Sequence, residues 1–305
     1  MIPLANPKGF GGLQPPKWPS QIFAGDPAWK IDPARVSKGR ALYAEICAEC
    51  HLGPVNDPKF DAQFPKQSFW SSDHWKRGAG GPVLDPVQKT AKEMGTDPAQ
   101  ADVLWQRNVQ LPGYLDIQPA RDLAKWWGCP DVQPTSSTEM PYALALMVTV
   151  DLVSRKWMDD QHVSTEEREK LWEGRKNCPN PGPGPRYRAR PLNGVWATAP
   201  YLHNGSVPSL YWLLHPAAER PKKFCMGGAR DFDPEHVGLR VDGDETKCES
   251  GQTQFSTTDR NGNEINGNSV AGHSFEGAAP YPNGIVGRQF KKDERDDLIE
   301  YLKTL

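Results

Sequence analysis

A mainly α-helical fold with long ordered loops and little sheet is predicted by three features of the sequence. Apolar residues recur at helical spacing in several separate segments. The 30 prolines and 28 glycines among 305 residues are well above the ~12% of average usage, so long loops must join rather few helices. Eleven tryptophans each need a large apolar site and a partner for the indole N–H, which demands a real core. A hydrophobic content of 37% supports that core. The longest apolar run, ALALMVTV at 143–150, falls far short of the ~20 residues of a membrane span and reads as a buried helix. With 36 basic and 38 acidic residues the net charge is −2, which leaves no electrostatic footprint for nucleic acid.

Along the chain, residues 1–31 are rich in Pro, Gly and Trp without periodicity and read as an extended strap or linker. Asp32-Pro33 is an N-cap followed by proline at the first helical position. The helix it opens carries Val36, Leu42, Tyr43 and Ile46 and runs into the sequence Cys47-Ala48-Glu49-Cys50-His51. Residues 55–95 are irregular, with aromatic anchors from Phe60 to Trp75. Helices follow at 98–108, 118–127 and 141–158, and Ser164 and Glu167 have capping-box spacing at the start of another. NPGPGP at 180–185 breaks the pattern. A short helix at 208–214 precedes a loop-rich stretch at 225–290, and DERDDLIEYLKTL closes the chain as a helix. There is no internal repeat. The organisation expected is a strap at 1–31 and one domain at 32–305 with a large insertion at about 55–185.

C-x-x-C-H is the attachment signature of c-type haem. Two thiols three positions apart reach the two vinyl groups on one porphyrin edge, and the next imidazole swings beneath the iron. Cys47 and Cys50 are therefore the expected thioether positions and His51 the proximal ligand. A thioredoxin-type dithiol wants a βαβ setting, and a zinc site wants a second close pair of ligands. Neither is present, since Cys129, Cys178, Cys225 and Cys248 are scattered singly. Those four allow two disulfides in three connectivities, among which the spacing does not choose. Gly39 and Tyr43 one turn apart on the first helix, with Tyr301 on the last, fit a close crossing of the two helices like that of a small cytochrome c.

Six further histidines compete for the position opposite His51. His162 lies in a polar run, His74 and His236 lie in polar loops, and His215 ends a short helix, where capping accounts for it. His203 and His273 remain.

The stretch from Tyr187 to Leu214, with Arg190-Pro191-Leu192-Asn193 followed by Ala199-Pro200-Tyr201-Leu202-His203-Asn204-Gly205-Ser206, resembles the di-haem cytochrome c peroxidase superfamily, nearest to its rubber-oxygenase-like branch. NEINGNSVAGHSFEG at 263–277 and the closing LIEYLKTL also look like the end of such proteins. In that branch two histidines hold the C-terminal haem. Carried over, the resemblance implies His273 as the distal ligand, flanked by Gly272 and Gly277, which let the backbone approach the porphyrin. It implies His203 as a neighbour of the haem that does not ligate it, so the order of candidates is His273, His203, then Met226. Arg190 and Arg188 are candidate partners of the haem propionates, and Trp196 is a candidate to pack on the porphyrin. The DRNGNEING loop at 259–267 lacks the glycine and terminal glutamate of an EF-hand and reads as turns.

Enzymes of this superfamily carry two haems, whereas this sequence has one C-x-x-C-H. The start MIPLANPKGFGGLQPPKW lacks the regions of a signal peptide. Both fit a C-terminal half of a longer di-haem protein of the periplasm or cell exterior. The expected function is a c-type cytochrome domain with one covalent haem, transferring electrons to or from a redox partner protein or the missing N-terminal haem domain. The alternatives are a peroxidase or oxygenase with an open or displaceable sixth haem position and His203 as acid/base group, and a structural haem module docked on an enzyme.

Overall fold

The computed structural model describes residues 15–78, 81–115, 139–172, 186–228 and 232–305. The predicted helix at 118–127, the NPGPGP break, Cys129 and Cys178 lie outside the described residues. The chain divides into two compact units, one comprising 11–72, 86–98 and 186–305, the other 1–10, 73–85 and 99–185.

The helices of the first unit are α1 (Pro33–Leu42), α2 (Ala48–His51), α3 (Pro58–Gln63), α4 (Ala91–Met94), α5 (Leu210–Leu213) and α6 (Lys292–Leu302). Asp32 starts α1 as predicted. Its carboxylate accepts from the Ala34 and Arg35 amides, and Pro33 occupies the first helical position. The helix does not simply run into the cysteines. Residues Tyr43–Cys47 form a π turn in which the Ala48 amide bonds the Tyr43 carbonyl, a widening that recurs at functional sites.

α6 crosses α1 at Gly39. A Cβ there would collide with the main-chain carbonyl of Asp297 and with Cβ of Tyr301, so glycine lets the two backbones touch. Beside the crossing, Tyr43 and Tyr301 meet edge-on at 5.5 Å between ring centres and Tyr43 meets Phe60 at 5.8 Å. Tyr43, Phe60, Leu298 and Tyr301 are fully buried, and burial of such a side chain contributes about 1.5–3 kcal/mol. The phenol groups find partners: Tyr43 donates to the Leu52 carbonyl at 2.8 Å and Tyr301 to the Asp57 carboxylate at 2.9 Å. The other Asp57 oxygen caps α3 through the Lys59 and Phe60 amides. The strap joins the same core through Trp18, whose indole donates to the Trp29 carbonyl at 2.8 Å and whose ring lies under the Lys303 ammonium.

The expectation of a mainly α protein with little sheet is overturned. Of the described residues 39% are helical and 16% lie in strands, and these strands form six two-stranded sheets. In the first unit, β1 (Gln88–Thr90) pairs antiparallel with β2 (Arg186–Arg188), and β3 (Lys223–Met226) pairs with β6 (Thr253–Ser256). β4 (Phe232–Asp233) pairs antiparallel with β5 (Gly238–Leu239), and β7 (Ser274–Phe275) lies parallel to β8 (Ile285–Gly287). Strands of two to four residues are too short for alternation to register as a period, which is why the 225–290 stretch reads as loop. The Cys225–Cys248 disulfide, with Cα atoms 5.5 Å apart, ties β3 to the loop after β5.

In the second unit, the helix Tyr142–Asp160 buries Leu144, Ala145 and Val148 against Met140. Leu146 and Val150 are exposed, so ALALMVTV is amphipathic in place and not buried all round. Ser164 Oγ accepts from the Glu167 amide at the start of helix Thr165–Trp172. Among the described residues no helix is long and apolar enough to cross a membrane.

Candidate haem site

Cys47 ends the π turn, while Cys50 and His51 stand on α2, and Leu52 terminates it with a left-handed φ of 64°. Both cysteines are free thiols. Burial, and then the Cys50 thiol, push Cys47 up to about 12; burial, and then Glu49, raise Cys50. Thiols held protonated in this way are poor thiolate nucleophiles, which argues against a dithiol redox pair.

His51 Nδ1 donates to the Arg190 carbonyl at 2.7 Å. A carbonyl only accepts, so Nδ1 carries the proton and Nε2 keeps its lone pair, the arrangement a metal-bound histidine adopts. Burial, opposed by this hydrogen bond, lowers the His51 pKa and favours the neutral ring. The sequence places that carbonyl well. Ala189 donates to the Val87 carbonyl just beyond the β1–β2 ladder, and the Asn193 amide exchanges hydrogen bonds with both main-chain groups of Val55. The Arg-Pro-Leu-Asn stretch is thus stitched to the segment that follows His51.

His273 faces His51, with ring centres 6.1 Å apart. With a metal–imidazole bond of ~2 Å and a nitrogen roughly 1 Å from its ring centre, two imidazoles on opposite sides of one iron have centres ~6 Å apart. The residues therefore fit a haem. His273 Nδ1 is buried without a hydrogen-bond partner, and burial, then His51, then Arg220 hold its pKa down at about 3. The ring stays neutral and able to ligate. Its backbone has a left-handed φ of 49°, a conformation that surroundings must impose on a non-glycine residue.

Those surroundings are specific. The His273 amide donates to the Met94 carbonyl at 3.3 Å, and the Ser274 amide donates to the Gly284 carbonyl. Asp97 accepts from the Ser269 amide at 3.0 Å, and Asn204 donates to the Gly267 and Ser269 carbonyls. Gly272 is required by a close approach, but to Met94 and Thr96: a Cβ would stand 2.6 Å from the Met94 carbonyl oxygen and 2.7 Å from Thr96. Arg220, 2% exposed, bridges the end of α5 and the loop. Its guanidinium donates to the carbonyls of Val270, Gly272 and His273 at 2.7, 2.8 and 2.9 Å.

The remaining candidates separate on their partners. His215 Nδ1 bonds the Tyr211 carbonyl at 2.7 Å, closing α5. His236 Nδ1 bonds Asp233 at 3.0 Å and His74 Nδ1 bonds the Asp85 carbonyl at 3.0 Å, so both have a positioning partner that their polar loops did not suggest. His162 is exposed. His203 stacks on Tyr187 at 4.3 Å with Nε2 buried and unpartnered; burial lowers its pKa against the pull of Asp97. Met226 lies on β3 and packs on the cluster of Phe224, Val241, Phe255 and Val270. Trp196 sits in the strap's aromatic cluster, its ring edge-on to Trp18 at 5.2 Å and its indole donating to the Pro16 carbonyl.

Asp97, Met94 and Arg220 escaped sequence reasoning, because their partners lie 172, 179 and 50 to 53 positions away and nothing local marks them. The sequence points to the Arg190 guanidinium, whereas its main-chain carbonyl is the group on His51.

Residues 186–225, which carry Arg190, His203, Asn204 and Arg220, match the family model for RoxA-like, cytochrome c-like domains. The chain is 38% identical over 301 residues to the uncharacterized protein y4iJ of Sinorhizobium fredii (strain NBRC 101917 / NGR234), an alignment covering 97% of this chain and 42% of that protein. It is 55% identical over 56 residues to the uncharacterized protein y4iM of the same organism, 18% of this chain and 12% of that one. The chain thus spans less than half the length of these relatives. The family match supports a haem-binding, cytochrome-like domain.

Proposed function

We propose that this chain is a c-type cytochrome domain that binds one haem covalently through Cys47 and Cys50 and transfers electrons. It would form the C-terminal part of a di-haem, peroxidase-like oxidoreductase. The single observation that carries the reading is the opposition of His51 and His273 at 6.1 Å between ring centres. His51 and His273 would be the axial ligands, and the Arg190 guanidinium a partner of a propionate. When bound, the haem supplies a one-electron Fe(III)/Fe(II) couple, tuned by its axial ligands, burial and hydrogen bonds.

The chain's own residues do the rest. The Arg190 carbonyl fixes the His51 tautomer and raises the basicity of the free nitrogen. The core at the α1–α6 crossing packs against Ile46 and Cys47 and so backs the attachment segment. The loop at 267–273 holds His273 in place. The Cys225–Cys248 disulfide favours an oxidising compartment, the periplasm or the cell exterior. The greater length of y4iJ leaves room for a second haem domain as electron partner.

The buried, unpartnered Nε2 of His203 favours a second reading, an oxidoreductase whose sixth position opens and whose acid/base group is His203. The visible spectrum of the dithionite-reduced holoprotein, with and without carbon monoxide, separates the two. No change on adding carbon monoxide is expected. A shifted Soret band would overturn the electron-carrier reading in favour of the second.

A further inference from the structure

Arg220 is the most enclosed cation in the loop's surroundings, and its acceptors are main-chain carbonyls. Nε donates to Trp212 at 3.3 Å and Nη2 to Leu213 at 3.1 Å, which satisfies the C-terminal end of α5. Nη1 donates to Val270 and Gly272, and Nη2 also to His273. One planar fork with five N–H groups therefore joins a helix end to three main-chain carbonyls of the loop that carries His273. A lysine could supply the charge but not the fixed directions.

His273 itself is held with a left-handed φ of 49°. That conformation disfavours a non-glycine residue and persists only where neighbours over-determine it. The Met94 carbonyl restrains its amide, and Arg220 restrains its carbonyl and that of Gly272. We infer that Arg220 is a positioning residue that keeps His273 at the sixth haem position and so closes that position to exogenous ligands. The inference rests on the reading of His51 and His273 as axial ligands, and goes beyond it by assigning the closure to a residue that touches neither ring.

The test uses the full chain with haem attached. In the wild type, carbon monoxide leaves the reduced spectrum unchanged; if it does not, the axial-ligand reading fails before Arg220 is tested. Arg220→Lys and Arg220→Gln are expected to retain haem and to gain a carbon monoxide-shifted Soret band, Gln more than Lys. Lys303→Met removes another buried cation of the same unit, the one paired with Glu300 at 2.8 Å beside the strap. It should lower thermal stability and remain inert to carbon monoxide, which separates positioning from general loosening. Haem-loaded Arg220 variants as inert as the wild type would overturn the inference, as would Lys303→Met reacting equally. Should neither Arg220 variant accumulate, hydrogen exchange of the wild-type holoprotein decides. Amides 270–274 should be protected to the level of α1 and α6, and exchange at the rate of exposed loops would overturn the clamp.

Discussion

At the scale of single residues, the site depends on which atoms are already partnered and which are left free. His51 spends Nδ1 on a main-chain carbonyl and is left with one nitrogen for a metal, while Cys47 and Cys50 are free and protonated. Replacing both cysteines by serine is expected to leave haem that acidified acetone extracts, whereas wild-type haem stays with the polypeptide on a denaturing gel. Retention in the double variant would sink covalent attachment. Asp233 and His236 give a pH dependence with a definite sign. Burial alone would raise Asp233, but hydrogen bonds from the His236 ring and the 235 and 236 amides hold it at about 2. The Asp233 hydrogen bond in turn raises His236, against burial. The carboxylate's contribution is full above the ordinary value of ~3.9 and is lost as pH falls through about 2. The histidine's contribution is full below ~6.5 and is lost as pH rises through its raised value. The melting temperature lost in Asp233→Asn should accordingly be larger near pH ~5.5 than near pH ~9; an equal loss at both would show that the pair does not titrate as described.

At the scale of elements, the α1–α6 crossing holds the C-x-x-C-H segment against the core. Gly39→Ala has two opposed effects. In a helix interior alanine is favoured over glycine by about 1 kcal/mol, but here the methyl meets the Asp297 carbonyl and Tyr301 Cβ, neither of which can swing away. Overpacking of that kind typically costs about 1–3 kcal/mol, so net destabilisation is expected, read as a lower urea midpoint with an unchanged slope. A higher midpoint would mean that the helices are not in contact at this residue. The short β7–β8 pair does for His273 what α2 does for His51. It anchors one flank of the loop, while Asp97, Asn204 and Arg220 hold the other.

At the scale of the whole molecule, the unit of 11–72, 86–98 and 186–305 brings His51 and His273 together from positions more than 200 residues apart. The pyridine haemochrome assay on purified chain should return one haem per polypeptide, since the sequence holds a single C-x-x-C-H. A value near two would require a site outside the pair described and would end the electron-carrier reading as stated. The relatives from Sinorhizobium fredii are more than twice as long as the segment they share with this chain.

By itself the sequence determined what is local: the Asp32 cap, the cysteine and histidine spacing, the small residue at Gly39, and the helices at both ends of the shared core. It also ordered the candidates opposite His51 as His273, His203 and Met226, because local setting and motif context differ among the six other histidines. What only the tertiary structure decided is non-local. Strands of two to four residues have no period to read, so the sheets were invisible. The Arg190 contact is made by a backbone atom, which residue identity does not encode. Asp97, Met94 and Arg220 act on a loop more than 45 positions away, and a side chain's role in holding another residue becomes visible only once the chain has brought both to one place.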